Sequence, residues 1–184
     1  KLDTGDGSGT VTFSSGVTGD FLLEIAAGTG DIDFDSTVGA GAPLDGLLIS
    51  TASSVTFDGT VAVEARDLDI TATNVTFHAG VTTTAEGTVA ISLAADGSLT
   101  LDEAADFVLD GSFMQDGGGV VRTAAEISTT NDSILFADEV ILTGDVRLDT
   151  GVGEGNVTFD RGVKGDFLLE IAAGTGDIHF ESTV

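Results

Sequence analysis

One triplet sets the terms for this chain: an apolar residue, any residue, then phenylalanine. It appears as Val11-Thr12-Phe13, Ile32-Asp33-Phe34, Val55-Thr56-Phe57, Val75-Thr76-Phe77, Ile134-Leu135-Phe136, Val157-Thr158-Phe159 and Ile178-His179-Phe180. The phenylalanines are spaced 21, 23, 20, 59, 23 and 21 residues apart. The long interval holds two less regular members, Leu99-Thr100-Leu101 and Ser112-Phe113-Met114. A period near 20 with strand-type alternation is the mark of a solenoid, in which each short coil buries its apolar face only by stacking on the next. Each triplet places Val or Ile and Phe on one side of a strand and Thr, Asp or His on the other. The pattern predicts an all-β chain: a parallel β-helix, or β-solenoid, of about 21 residues per coil.

A longer period contains the short one. Residues 2–38 align without a gap on residues 148–184, and 29 of the 37 pairs are identical. The string GDFLLEIAAGTGDI occurs unchanged at 19–32 and 165–178. The offset of 146 residues predicts about seven coils per repeat, within a single continuous solenoid over residues 1–184. The eight mismatches are Asp6/Val152, Ser8/Glu154, Thr10/Asn156, Ser14/Asp160, Ser15/Arg161, Thr18/Lys164, Asp33/His179 and Asp35/Glu181. All fall outside the expected core positions Val11, Phe13, Phe21, Leu23, Ile25, Ile32 and Phe34. Parallel coils in register stack Phe13, Phe34, Phe57 and Phe77 in one column beside Val11, Ile32, Val55 and Val75. Further strands read as Val61/Val63 and Leu68/Ile70, with turns at GTGD 28–31, ADG 95–97, DGGG 116–119 and TGD 143–145. The best helical candidates, AEGTVAISLAADG and LDEAADFVLDG, are short and glycine-flanked. A string of β-sandwich modules is the competing architecture, but it repeats near 100 residues and has no inner period near 21.

Composition narrows function more than fold. The chain carries 31 acids against 6 bases, a net charge of −25. That excludes the basic face that nucleic acid requires and opposes docking on anionic lipid. No apolar run approaches the length that spans a bilayer, so no membrane insertion is expected. There is no cysteine, so stability rests on the repeated core rather than on disulfides.

The stretch GSFMQDGGGVVRTAAEISTTNDSILFADEVILTGDVRLDTGVGEGNVTF resembles the repeat of very large bacterial surface proteins. GTGDIDFDSTVGAGAPLDGLLISTASSVTFDGTV is similar to that repeat's other half. These are the filamentous-haemagglutinin-like, or β-strand-repeat, exoproteins. The resemblance implies a right-handed parallel β-helix, secreted or held at the cell surface, that serves in adhesion or in a surface matrix. It implies no catalytic residues and no cofactor. The partners it suggests are the chain itself, joined head to tail or as filaments, and cell-surface glycans or proteins.

Two residue patterns are candidate sites. Ser14, Asp35, Asp58, His78, Asp160 and Glu181 each follow a phenylalanine, and stacking places them in one external column. Two carboxylates 5 Å apart repel by about 3 kcal/mol at an effective dielectric near 20, which a shared divalent cation relieves. Asp31, Asp33 and Asp35, on one side of a strand, are the sharpest candidate for Ca²⁺, whose preferred ligands are hard oxygens. The alternative is a solvated acidic face that keeps a rod soluble. The second copy replaces the trio with Asp177, His179 and Glu181. All three asparagines, Asn74, Asn131 and Asn156, begin Asn-x-Ser/Thr, the acceptor pattern for glycosylation; a turn entering a strand is the plainer reading. His78 and His179, on distant coils, cannot form a zinc site alone and read as softening the repulsion in the acidic column. No nucleophile–base pair stands out, so no enzyme is expected. Three functions follow in order: a stiff extracellular rod for adhesion, coating or matrix assembly; a Ca²⁺-dependent assembly module; and a carbohydrate-active β-helix enzyme.

Overall fold

The structure is a computed structural model that describes residues 1–64 and 66–182. Among the described residues there is no helix, and the chain winds as a parallel β-solenoid of about eight turns. Each turn has three faces. The first face opens with Leu2–Asp3 and continues through Leu22–Ala26, Gly46–Thr51, 68–72, 89–93, Phe113–Gly117, Ile134–Phe136, Val157–Phe159 and Ile178–Phe180. The second runs through Val11–Phe13, Asp31–Phe34, Ser54–Phe57, 74–77, 98–101, Val120–Thr123, Glu139–Leu142 and Val163–Lys164. The third begins as single bridges, Val17 to Val38 to Val61, and becomes a six-stranded sheet from Val61–Val63 to Leu169–Ala172. Strands Leu68–Phe77 and Val89–Leu101 run unbroken around the corner between the first two faces, joining them into one 15-stranded sheet. The expected ADG turn at 95–97 is therefore a register shift between Leu93 and Ser98 within a continuous strand. Both helical candidates are strand and turn, because their alternating Val, Ile, Leu and Phe face the core.

The expected aromatic column is present. Phe13, Phe34, Phe57 and Phe77 stack with ring centroids 4.7–4.8 Å apart and planes within 7°. Val11, Ile32, Val55 and Val75 pair beside them. The column does not continue up the same face. Above Phe77 the ladder carries Leu101, Thr123 and Leu142, while Phe136, Phe159 and Phe180 stand on the first face above Ile25, Ile49, Ile70, Ile91 and Gln115. The rings cross the core by edge-on contacts, Phe77 to Phe107 at 5.2 Å and 75°, then Phe107 to Phe113 at 5.5 Å and 85°. Phe113 meets Phe136 at 49°, and parallel stacking resumes through Phe159 and Phe180. Offset and edge-on pairs each add about 0.5–1.5 kcal/mol beyond burial, so the crossing keeps the aromatic energy while changing its geometry.

This crossing refines the repeat. From Leu2 to Leu148 the chain makes six full turns and two further faces, so 146 residues wind six and two-thirds times at roughly 22 residues per turn. The predicted single column of residues after phenylalanine therefore splits: Ser14, Asp35, Asp58 and His78 follow the second face, whereas Asp160 and Glu181 follow the first.

Phe21 also departs from expectation. It lies outside Leu22–Ala26, at the corner between the third and first faces, and is 43% exposed; its copy Phe167 is 48% exposed. Gly19 at φ +136 turns the chain so that the ring folds back over the glycine, where a Cβ would come 2.7 Å from the ring. Leu23 and Ile25 do face inward. At the corner after Gln115, Gly117 takes φ +91, and a Cβ there would overlap the Leu93 carbonyl oxygen of the coil beneath. Only glycine permits so close an approach of two backbones.

Candidate functional site: the acidic corners

Four acids where one face turns into the next bind backbone of a neighbouring coil. Asp67 Oδ1 accepts from Thr88 N–H (2.9 Å), Asp106 Oδ1 from Glu126 N–H (3.0 Å), and Asp145 Oδ1 from Leu168 N–H (3.0 Å). Each bond joins a coil to the one above it. Asp110 Oδ2 reaches the other way, accepting from Glu86 N–H at 2.9 Å. A corner leaves N–H groups outside the ladders, and a charged acceptor there is worth more than a neutral one. Part of the excess of acid is thus bound into the stacking of the coils.

The three candidate calcium ligands lie on the second face. Asp31 and Asp33 point outward from Asp31–Phe34, and Asp35 follows at the corner. Directly across the ladder, Asp33 meets Thr12 below and Thr56 above, and Asp31 meets Ser54. Burial first, then the charges of Asp31, Asp35 and Asp58, push the Asp33 carboxyl above its ordinary value. Asp69 on the first face is raised likewise, by burial and then by Asp67 and Asp116. Among the described residues, no group of three or more His, Cys, Asp or Glu side chains converges as a metal cage. The copy of the trio, Asp177, His179 and Glu181, lies on the first face, with His179 Nε2 4.0 Å from Asp177 Oδ2. His78 sits between two acids of neighbouring coils, Nδ1 2.5 Å from Asp102 Oδ2 and Nε2 3.9 Å from Asp58 Oδ1.

The three asparagines act as rungs between coils. Asn74 Oδ1 accepts from Ser98 Oγ (3.1 Å), Asn131 Oδ1 from Gly153 N–H (2.7 Å), and Asn156 Oδ1 from Asp177 N–H (2.7 Å). Asn131 is exposed at φ +65, whereas Asn74, at the corner within Leu68–Phe77, and Asn156, just before Val157–Phe159, are half-buried.

One polar cluster escaped the sequence reading. Gln115 and Asp138 are both buried, Gln115 within the inward ladder between Ile91 and Phe136. Gln115 Nε2 donates to Asp138 Oδ2 (2.8 Å) and to the Asp116 carbonyl (2.9 Å), and Asp138 N–H donates to Gln115 Oε1 (3.2 Å). Arg161 of the next coil brings Nε to 3.8 Å from Asp138 Oδ1. The alternation Phe113-x-Gln115 was the available signal, since it puts glutamine on the same side as an apolar residue.

One open cleft, of about 650 Å³, is lined by Asp102, Glu103, Ala124, Thr143, Gly144, Asp145 and Phe167, a set that includes no His, Lys, Arg or Cys. No helix of the described chain is long and apolar enough to cross a membrane. Compared with family models, with curated proteins and with solved structures, the chain matches none. Fold and surface together define a class: the chain is a parallel β-solenoid of the β-helix repeat type.

Proposed function

We propose that this chain is a segment of a structural extracellular repeat protein of the filamentous-haemagglutinin-like kind. It acts as a stiff rod for adhesion, surface coating or matrix assembly. The observation that carries this reading is the continuous core: one file of nine phenylalanines, from Phe13 to Phe180, runs from the first coil to the last. Eight coils at strand spacing make a body about 38 Å long. Self-association, coil on coil, is the first partnership that follows from this fold, since Ile32 and Phe34 are buried between the ladder neighbours of the coils on either side. Cell-surface glycans or proteins are the adhesion targets that follow from this role. Electron microscopy of purified protein tests the reading: rods that lengthen end to end support it, and isolated globular particles overturn it.

A Ca²⁺-dependent assembly module is the second reading, favoured by the upward push on Asp33 from Asp31, Asp35 and Asp58. A bound cation would hold all four carboxylates ionised. Melting with and without EDTA separates the two, since only the ion-dependent module loses many degrees on chelation. Glycosylation is proposed at Asn131, the exposed member of the three sequons, and intact-mass measurement of protein from its native host checks it.

A further inference from the structure

The two copies of the duplicated segment do not occupy equivalent positions around the solenoid. Val11–Phe13 is on the second face and its copy Val157–Phe159 is on the first; Leu22–Ala26 is on the first and its copy Leu169–Ala172 is on the third. The displacement is one face in each case, and it follows from the twenty face-to-face steps between Leu2 and Leu148, a number that three does not divide. Local geometry is nevertheless preserved. Thr29 N–H donates to Gly7 O at 3.0 Å and its copy Thr175 N–H to Gly153 O at 2.8 Å. Gly30 N–H donates to Ala27 O and Gly176 N–H to Ala173 O in the same turn. The segment is the same object rotated by a third of a turn.

From this we infer a threefold rotary design: in a tandem array, each successive repeat presents the same outer surface one face further round the rod. The pattern returns to its starting face after three repeats, that is, after twenty whole turns. Each repeat advances about 32 Å along the axis. The feature most affected is the GDFLL corner, whose phenylalanine stays outside the core in both copies. Phe21 stands where the third face meets the first, and Phe167 where the second meets the third. A repeat of seven whole turns would aim all such corners in one direction, making a one-sided rod that pairs into flat bundles. Rotation by thirds aims them in three directions, so the rod is equally equipped on every side. The inference rests on the rod reading for the existence of an array, but the winding itself belongs to a single chain.

Because the chain has no cysteine, paired nitroxide labels can be placed at will. On the second face the outward ladder runs from Thr76 through Thr100 and Arg122 to Ile141, three steps and about 14 Å of backbone. Leu135 lies on the first face. The pair Thr76→Cys/Ile141→Cys is expected to give a shorter spin–spin distance than Thr76→Cys/Leu135→Cys. A winding of seven whole turns puts Leu135 directly above Thr76 and reverses the order, which would overturn the inference. These outward positions carry the label in solvent, and circular dichroism of each labelled chain verifies the fold. A chain that stays monomeric while the Thr76–Ile141 pair remains the shorter removes the rod reading and leaves the winding intact.

Discussion

The first and second copies of the 37-residue segment agree in 29 positions yet lie in different surroundings. Asp3 Oδ1 accepts from Gly5 N–H at 2.9 Å, and Asp149 Oδ1 from Gly151 N–H at 2.8 Å, so the local turn is the same. In the second copy that turn is seated on a coil beneath: Thr150 is buried with Oγ1 donating to Gly155 O at 2.7 Å, and Asn131 reaches up to Gly153. The mismatches follow the same division. Arg161 and Lys164, which replace Ser15 and Thr18, lie against Asp138 and Glu139 of the coil below. Short-range sequence thus sets each turn and strand, whereas the winding count sets the face and the neighbours.

The largest effect is expected at the stacked phenylalanines. Phe159→Ala removes a fully buried ring between Phe136 and Phe180 and should cost about 3–5 kcal/mol. Urea denaturation measures it, and a loss under about 1 kcal/mol would contradict a ring packed between two others. Next in size is Gln115→Leu, which strips Asp138 of its amide partner and should cost about 1–3 kcal/mol by the same measurement. Arg161→Ser makes the second copy read like the first and should cost under about 1 kcal/mol, since its guanidinium is exposed and 3.8 Å away. Phe21→Ser and Phe167→Ser should each stay within about 0.5 kcal/mol, as neither ring belongs to the core.

Acid titration distinguishes the corners. Asp149 is held below the usual carboxylate range, chiefly by the Gly151 N–H and further by Arg147, so its contribution is present above the ordinary aspartate pKa and lost as pH falls through its lowered value. Asp33 and Asp69 are raised, so their ionised forms oppose folding, and protonation through and just above the ordinary range relieves that opposition. Asp149→Asn should therefore flatten the loss of stability at the acid end, and Asp33→Asn should raise the melting temperature at neutral pH. An Asp33→Asn chain that melts lower would contradict the like-charge account.

The residues say plainly why the solenoid was legible and the crossing was not. Val55-Thr56-Phe57 and Val75-Thr76-Phe77 are 20 residues apart and identical in pattern, so their stacking needed only alternation and period. The 59-residue interval hid the step in which Phe107 and Phe113 carry the aromatic file from one face to another. Coils there differ in length, and Thr123 and Gln115 stand in ladder positions held elsewhere by Phe and Ile. Counting triplets cannot tell two and two-thirds turns from three. Phe21 departs from the alternation because it lies just before the strand that begins at Leu22, where Gly19 turns the corner. Asp31 and Asp33 share the outer side of Asp31–Phe34, with Asp35 at the corner beyond it, and the threonines that separate Asp33 from other coils depend on register.

The central claim is that identical segments occupy different faces of one continuous winding. The most direct test is the set of nuclear Overhauser contacts made by Thr123, whose inward methyl is predicted to touch the methyls of Leu101 and Leu142 and to leave the Phe136–Phe159 stack undisturbed. Contacts instead from Leu101 directly to the Phe136 ring, with Phe77, Phe136 and Phe159 in one vertical file, would contradict the account.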